Sequence, residues 1–264
     1  MKSLPLHRLH EFIRLQRSET EAFSRLAVDR LHFKRHDLIR NQGDATDHVY
    51  FLIEGWVACQ VDTADGGQQI AKVHMPGDLL GGASLALTHA AESLVALNPT
   101  IVDVIPSQSL GELFMSSPRL AAAMFLAVQQ ERVWLMDKVT SIGRTSAAQR
   151  LATFLSSVHD RLKKIDGRAG RTFDLPLSQA ELANVLGITT VHTNRTIQQL
   201  EQTGMISRSG REITLEDVAG LRAFGAVPRR KFRSVSDWLG EADGKARFAE
   251  FLPARNERPE PAQA

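Results

Sequence analysis

The chain has 264 residues, of which 43% are hydrophobic, and this length is enough for two packed domains. Its apolar runs are far shorter than the roughly 20 residues that a membrane-spanning helix needs, so no membrane association is expected. The single cysteine, Cys59, excludes an internal disulfide and is too few for an iron–sulfur cluster or a structural zinc site. Because the first residues lack the apolar core of a secretion signal, we expect a cytoplasmic protein.

The charge is divided unevenly along the chain. Residues 1–143 contain 13 Lys and Arg against 16 Asp and Glu, residues 144–233 contain 15 against 8, and residues 234–264 contain 4 against 6. The net charges of these three parts are therefore −3, +7 and −2. A basic block of this kind is typical of a domain that contacts the phosphate backbone of a nucleic acid, although an ordinary basic surface gives the same counts.

Residues 1–117 are predicted to form a β-roll or sandwich of the jelly-roll type. Short runs rich in β-branched and aromatic residues alternate there with turn residues such as Gly55, Gly77 and Asp78. The predicted strands are 49–53, 56–61, 69–75, 94–97 and 101–105. Gly43 and Gly77, each followed by Asp, are interpreted as chain reversals because neither belongs to a phosphate-binding loop.

Residues 118–143 are predicted to form one long helix. A heptad series runs along it, and its members define a predicted dimer seam: Phe125, Val128, Arg132, Leu135, Val139 and Ile142. A second apolar face predicts packing of the same helix on its own β domain: Leu120, Met124, Ala127 and Trp134. Both interpretations can hold for one helix.

Residues 144–222 are predicted to form a winged helix-turn-helix. Ser178 and Glu181 are spaced as a capping box, so a helix begins at this point, and Gly187 ends it after Leu186. Thr189 then caps a second helix, Thr190 to Thr203. Two short strands around a basic turn follow, at 205–207 and 213–215, and predict a β wing.

The second of these helices is predicted to read DNA bases from the major groove. Its exposed stripe and first turn supply the candidate base readers, which are Thr190, Val191, Asn194 and Arg195. Arg195 is the strongest of them, since a guanidinium can donate two hydrogen bonds to guanine. The candidate phosphate contacts are Ser178, Gln179, Thr189, His192, Arg208 and Arg211. The two wing arginines equally fit a role in keeping the hairpin solvated.

Residues 20–222 resemble the Crp/Fnr family of bacterial transcription regulators. The resemblance lies in the helix-turn-helix from Leu177 to Glu201, in the strand from Val49 to Gly55 and in the corner from Pro76 to Gly81. It implies an α+β fold and a homodimer that binds palindromic double-stranded DNA and recruits or blocks RNA polymerase. Cyclic-nucleotide binders of the family use a glutamate and an arginine where this chain has Gly82 and Glu92, so the effector is unknown and a cyclic nucleotide is not expected.

Two other classes of function are alternatives to DNA binding. One is a small-molecule-binding allosteric module whose helix-turn-helix mediates protein contacts, and DNA binding that is absent or insensitive to salt would favour it. The other is an enzyme, which is not expected because no catalytic motif occurs. No metal or cofactor is expected either, since the pairs His7/His10 and His32/His36 lack a carboxylate or thiol cluster. Residues 223–264 form a C-terminal extension whose last dozen residues are expected to be disordered.

Overall fold

The computed structural model of the chain describes residues 4–225 and 230–236. Its fold is α+β, as predicted. The strands are β1 (Asp29–Phe33), β2 (Leu38–Arg40), β3 (His48–Glu54), β4 (Val57–Asp62), β5 (Gln68–His74), β6 (Leu79–Leu80), β7 (Ser93–Ala96), β8 (Thr100–Pro106), β9 (Thr172–Asp174), β10 (Ile206–Ser209) and β11 (Glu212–Leu215). The helices are α1 (His7–His10), α2 (Arg17–Ser24), α3 (Ser107–Ser116), α4 (Pro118–Arg144), α5 (Ala147–Ile165), α6 (Gln179–Leu186), α7 (Thr190–Gln202) and α8 (Val218–Gly225).

The first eight strands form the roll. They make two four-stranded antiparallel sheets, in the orders β1-β8-β3-β6 and β2-β7-β4-β5. Because side chains alternate between the two faces of a strand, each sheet sends one apolar row inward. The rows meet in a cluster of fully buried side chains, which are Leu52, Val57, Leu80, Leu94 and Val102.

Glycines form the corners of the roll, as predicted. Gly55 has φ +87°, and a Cβ atom there would lie 2.5 Å from the carbonyl oxygen of Pro99. Gly77 has φ +89°, and a Cβ atom there would lie 2.5 Å from the carbonyl oxygen of Pro5. Only glycine combines a left-handed backbone with such a close approach.

Two further apolar clusters hold the roll against the helices. One joins α1, α2, α3 and the first half of α4 to the outer face of one sheet, and Phe12 and Leu120 are almost fully buried in it. The other is continuous from the second sheet, through Ile70 and Met75, to Leu151 and Leu155 of α5 and the core of the C-terminal domain. The two domains therefore share one core.

The five strands predicted for the roll are confirmed, and each bound lies within one residue of the prediction. The prediction of a two-stranded wing is wrong, because the wing has three strands in the order β10-β11-β9. Its strand β9 has only three residues and exists through pairing with β11, in which Phe173 is opposite Ile213. Pairing between segments so far apart leaves no local signal, which also explains why the sequence did not predict strands β1, β2 and β6.

Among the described helices, none combines the length and apolar character that crossing a membrane requires. Helix α4 is one residue longer than predicted, ending at Arg144. Most of the C-terminal extension, namely residues 226–229 and 237–264, lies outside the described residues, and so does the segment expected to be disordered.

Candidate nucleic-acid interface

Helix α6 begins at the predicted capping box. The Ser178 hydroxyl accepts a hydrogen bond from the backbone N–H of Glu181 at 3.2 Å, and the Glu181 carboxylate accepts one from the backbone N–H of Ser178 at 2.6 Å. At the other end Gly187 has φ +67°, which ends the helix in the left-handed conformation. The turn to the next helix is therefore tight and defined at both sides.

Helix α7 starts two residues later with Thr189 as its N-cap. The Thr189 hydroxyl accepts a hydrogen bond from the backbone N–H of His192 at 3.3 Å. The inward face of α7 is buried and carries Thr193, Ile197 and Leu200. These side chains pack with α6, so the helix-turn-helix prediction is confirmed and the orientation of α7 is set by its core.

The opposite face of α7 is open to solvent. Val191 is 66% exposed, so its side chain is available for contact with another molecule. Thr190, His192 and Arg195 are also exposed, whereas Asn194 is half-buried. A shallow depression in this face is lined by Thr189, Val191, His192, Arg195, Thr196 and Gln199.

The remaining candidate phosphate contacts meet at a second place, between α6 and the wing. Ser178, Gln179, Arg208 and Arg211 line one crevice there, although about 30 residues separate the two pairs in sequence. Both wing arginines also have partners within the hairpin region. Arg208 donates to the Gly210 carbonyl at 2.8 Å, and Arg211 forms an exposed ion pair with Asp174 at 2.8 Å.

Comparisons with known proteins agree with this geometry. The Crp-like helix-turn-helix domain family matches residues 149–224, and the cyclic nucleotide-binding domain family matches residues 30–117. The anaerobic regulatory protein of Haemophilus influenzae is 24% identical over 84% of this chain and 86% of its own length. The fumarate and nitrate reduction regulatory protein of Salmonella typhimurium is 27% identical over 71% and 74%, respectively. The solved structure of FixK2 from Bradyrhizobium japonicum is similar with a TM-score of 0.69, 25% identity, and coverage of 76% of this chain and 98% of that one.

The chain belongs to the Crp/Fnr family. It is a DNA-binding transcription regulator. The comparisons leave its effector open.

In this Crp/Fnr protein the roll holds helix α6 through contacts that the sequence did not predict. Arg35 forms an ion pair with Glu181 at 2.9 Å, and His36 lies 3.3 Å from the same carboxylate. The side chain of Gln69 donates to the backbone carbonyl of Asn184. Glu181 therefore has two roles, since it closes the capping box of α6 and also joins the DNA-binding domain to the roll.

The predicted seam residues form a stripe along α4. Val128 is 54% and Val139 71% exposed, and the other members of the predicted seam are exposed as well. The second face of α4 is buried at Leu120 and Met124 by the roll and the N-terminal helices, as the second interpretation predicted. Helix α4 thus packs within its own chain on one side and exposes apolar side chains on the other.

The described part of the chain has one cysteine, Cys59, and no cluster of side chains that could hold a metal ion. No group of three or more His, Cys, Asp or Glu side chains there has the spacing of a metal site. Burial and the nearby carboxylate of Glu92 raise the pKa of the Cys59 thiol to about 11. The thiol is therefore protonated at neutral pH, and a protonated thiol is a poor nucleophile.

Proposed function

We propose that this Crp/Fnr regulator acts as a homodimer that binds palindromic double-stranded DNA, with one α7 helix of each subunit in the major groove. The observation that carries the proposal is the exposed face of α7, where Val191 and Arg195 face solvent inside the basic block of the chain. An α-helix fits the width of the major groove, and its exposed side chains then reach the edges of the bases.

The proposed base readers are Thr190, Val191, Asn194 and Arg195. Arg195 can donate two hydrogen bonds to O6 and N7 of guanine, Asn194 suits adenine, and Val191 suits the methyl group of thymine. Half-buried Asn194 has less freedom than Arg195, so we expect Arg195 to contribute more to the choice of sequence.

The proposed phosphate contacts form two groups that flank the base readers. Thr189 and His192 lie at the first turn of α7, and the crevice between α6 and the wing supplies Ser178, Gln179, Arg208 and Arg211. Backbone N–H groups at a helix start and guanidinium groups are common phosphate ligands. Because Arg211 already pairs with Asp174, we expect Arg208 to contribute more to phosphate binding.

The second copy is proposed to pack on the exposed stripe of α4. A stripe with heptad spacing that includes Val128, Leu135 and Val139 is the pattern of a helix that packs along a partner helix. Two subunits related by a two-fold axis then present two α7 helices to the two halves of a palindrome. We further infer that bound DNA places the protein beside RNA polymerase, in the cytoplasm, where it recruits or blocks the enzyme.

The experiment that tests this function is a selection of binding sites from a random DNA pool, followed by titration at two salt concentrations without added ligand. Wild-type protein is expected to select a palindrome and to bind it more weakly as salt rises. Arg195→Ala is expected to lose about 1–3 kcal/mol of discrimination at one base pair of each half-site.

The matched control is Gln202→Ala, an exposed change at the far end of the same helix, which should leave both affinity and selectivity unchanged. Equal selectivity of wild type and Arg195→Ala would reject the proposed role of Arg195. Failure of the wild type to select any sequence, or binding that does not respond to salt, would reject direct DNA readout by α7.

A further inference from the structure

A buried ion pair lies inside the roll, where β2 and β7 run side by side. Arg40, the last residue of β2, donates from Nη2 to Oε1 of Glu92 at 2.5 Å. The two side chains are only 3% and 5% exposed. Two opposite charges so well removed from water stabilise a fold only when each keeps its partner.

Both oxygens of the Glu92 carboxylate have donors. Ser84, which is fully buried, donates from its hydroxyl to Oε2 at 2.5 Å and accepts a hydrogen bond from the backbone N–H of Ala91 at 3.0 Å. On the other side of the pair, a Cβ atom at Gly81 would lie 2.6 Å from Nη1 of Arg40. The loop around the pair is therefore shaped to hold a guanidinium and a carboxylate together.

Arg40 has capacity for more hydrogen bonds than it makes. Its Nε and Nη1 atoms are buried and have no hydrogen-bond partner among the residues that the structure describes. Buried donors without a partner are costly and uncommon in folded proteins. These two free donors indicate that the Arg40 guanidinium can bind an anion, and that Glu92 accepts only part of its hydrogen bonds.

The cations of the roll do not fit a cyclic nucleotide. Residues 30–117, which match the cyclic nucleotide-binding domain family, contain only five Lys and Arg. Lys34 is exposed, and the other four already face carboxylates: Arg30 faces Asp103, Arg35 faces Glu181, Arg40 faces Glu92, and Lys72 faces Asp78 and Glu131. A buried cyclic phosphate needs a counter-charge, and the most buried of these cations is already neutralised.

We propose that the Glu92 carboxylate is an intramolecular ligand of Arg40. In the roll, this carboxylate takes the place of an external anion. The roll then keeps its folded shape without a cyclic nucleotide. Removal of the Glu92 carboxylate leaves an anion site on Arg40 and Ser84 whose ligand class is a small carboxylate. This proposal concerns the roll alone, and its tests contain no DNA, so they are independent of the DNA-binding proposal.

The first test is a titration of the full wild-type chain with cyclic AMP and with cyclic GMP, followed by thermal unfolding. A ligand that binds the folded state raises the midpoint temperature in a saturable manner. We expect no shift for either nucleotide at millimolar concentration. A saturable rise with either one overturns the proposal.

The second test uses Glu92→Ala, with acetate as the probe and chloride at the same ionic strength as the reference. Because the variant leaves Arg40 buried and unpaired, we expect its midpoint temperature to fall by on the order of 10 °C. Acetate is expected to restore part of that loss in Glu92→Ala and to leave the wild type unchanged. Glu112→Ala, at an exposed position of α3, is the matched control and should show neither effect.

Two results of this second test would overturn the proposal. The first is a midpoint for Glu92→Ala equal to that of Glu112→Ala, and the second is a loss of stability that acetate does not reverse more than chloride. If Glu92→Ala fails to fold, the double variant Arg40→Met/Glu92→Leu replaces it, because removal of both charges leaves no unpaired group. The double variant is expected to fold and to show no response to acetate, and a response to acetate there would contradict the assigned site.

Discussion

At the scale of single residues, Asp78 differs most from its prediction. The Pro76-Gly77-Asp78 sequence indicated a turn, where a charged side chain is ordinarily exposed, but the Asp78 side chain is fully buried. It lies 2.6 Å from Arg161, 3.2 Å from His74, 3.5 Å from Arg8 and 3.7 Å from Lys72. Burial alone would raise the pKa of this carboxyl, but the neighbouring cations outweigh it and hold the pKa well below 3.8.

Asp78→Asn is expected to lower the free energy of unfolding by about 3–5 kcal/mol, since it leaves buried cations without their counter-charge. Asp174→Asn is the matched control, because it breaks the exposed ion pair with Arg211 and should cost roughly 0–1 kcal/mol. Urea unfolding of both variants measures the two values. Equal values for the two variants would mean that the buried cluster adds nothing to stability.

The same prediction has a pH dependence with a defined sign. A carboxyl whose pKa is depressed on folding contributes stability at pH values above its unfolded pKa, near 3.8, and loses that contribution as the pH falls through the folded pKa. The difference between wild type and Asp78→Asn should therefore be constant near neutral pH. It should shrink only in strongly acidic solution.

At the scale of elements, α4 combines two packing faces in one helix of 27 residues. Leu120 and Met124 on one face are buried in the chain, and Val128 and Val139 on the other are exposed. The heptad spacing predicted both faces because helical periodicity is a local property. What covers the exposed stripe depends on a second molecule, so it stays a prediction.

Val139→Glu is expected to weaken the proposed dimer, because it places a charge in the middle of an apolar seam. We expect the dissociation constant to rise about tenfold or more, which corresponds to at least roughly 1.4 kcal/mol. Thr140→Glu is the matched control, since successive helical residues point about 100° apart and Thr140 lies beside the seam. Sedimentation analysis distinguishes the outcomes, and identical behaviour of the two variants would argue against this seam.

At the scale of the whole molecule, the two domains are joined by buried contacts. Arg161 of α5 reaches into the roll, where it bonds both the Asp78 carboxylate and the Val73 carbonyl. The segment 230–236 also returns to the N-terminal part, since the backbone N–H of Val235 donates to the carbonyl of Phe12 at 2.7 Å. We therefore expect the roll and the DNA-binding domain to unfold together.

Calorimetry of the wild type should show a single transition whose calorimetric and van't Hoff enthalpies agree. Arg161→Met removes the cation that enters the roll and is expected to split this transition or lower its midpoint. Lys163→Met, an exposed change on the same helix, should leave the transition unchanged. Two separate transitions in the wild type would show that the shared core does not couple the domains.

Much of this protein followed from its sequence, because the decisive signals are local. The capping box at Ser178, the left-handed Gly187 and the heptad series of α4 each depend on residues within a few positions of one another. Such patterns predicted five of the eight strands of the roll, the helix-turn-helix and the exposed face of α7. They also allowed the candidate DNA-contacting residues to be named before their arrangement was known.

Only the tertiary structure decided which distant residues meet. Arg40 and Glu92 are 52 residues apart, and Asp78 and Arg161 are 83 apart. Each of these four is a charged residue that the sequence alone would place at the surface. Their burial depends on how the sheets and α5 pack, and charge pairing over such separations has no periodicity or spacing from which it can be predicted.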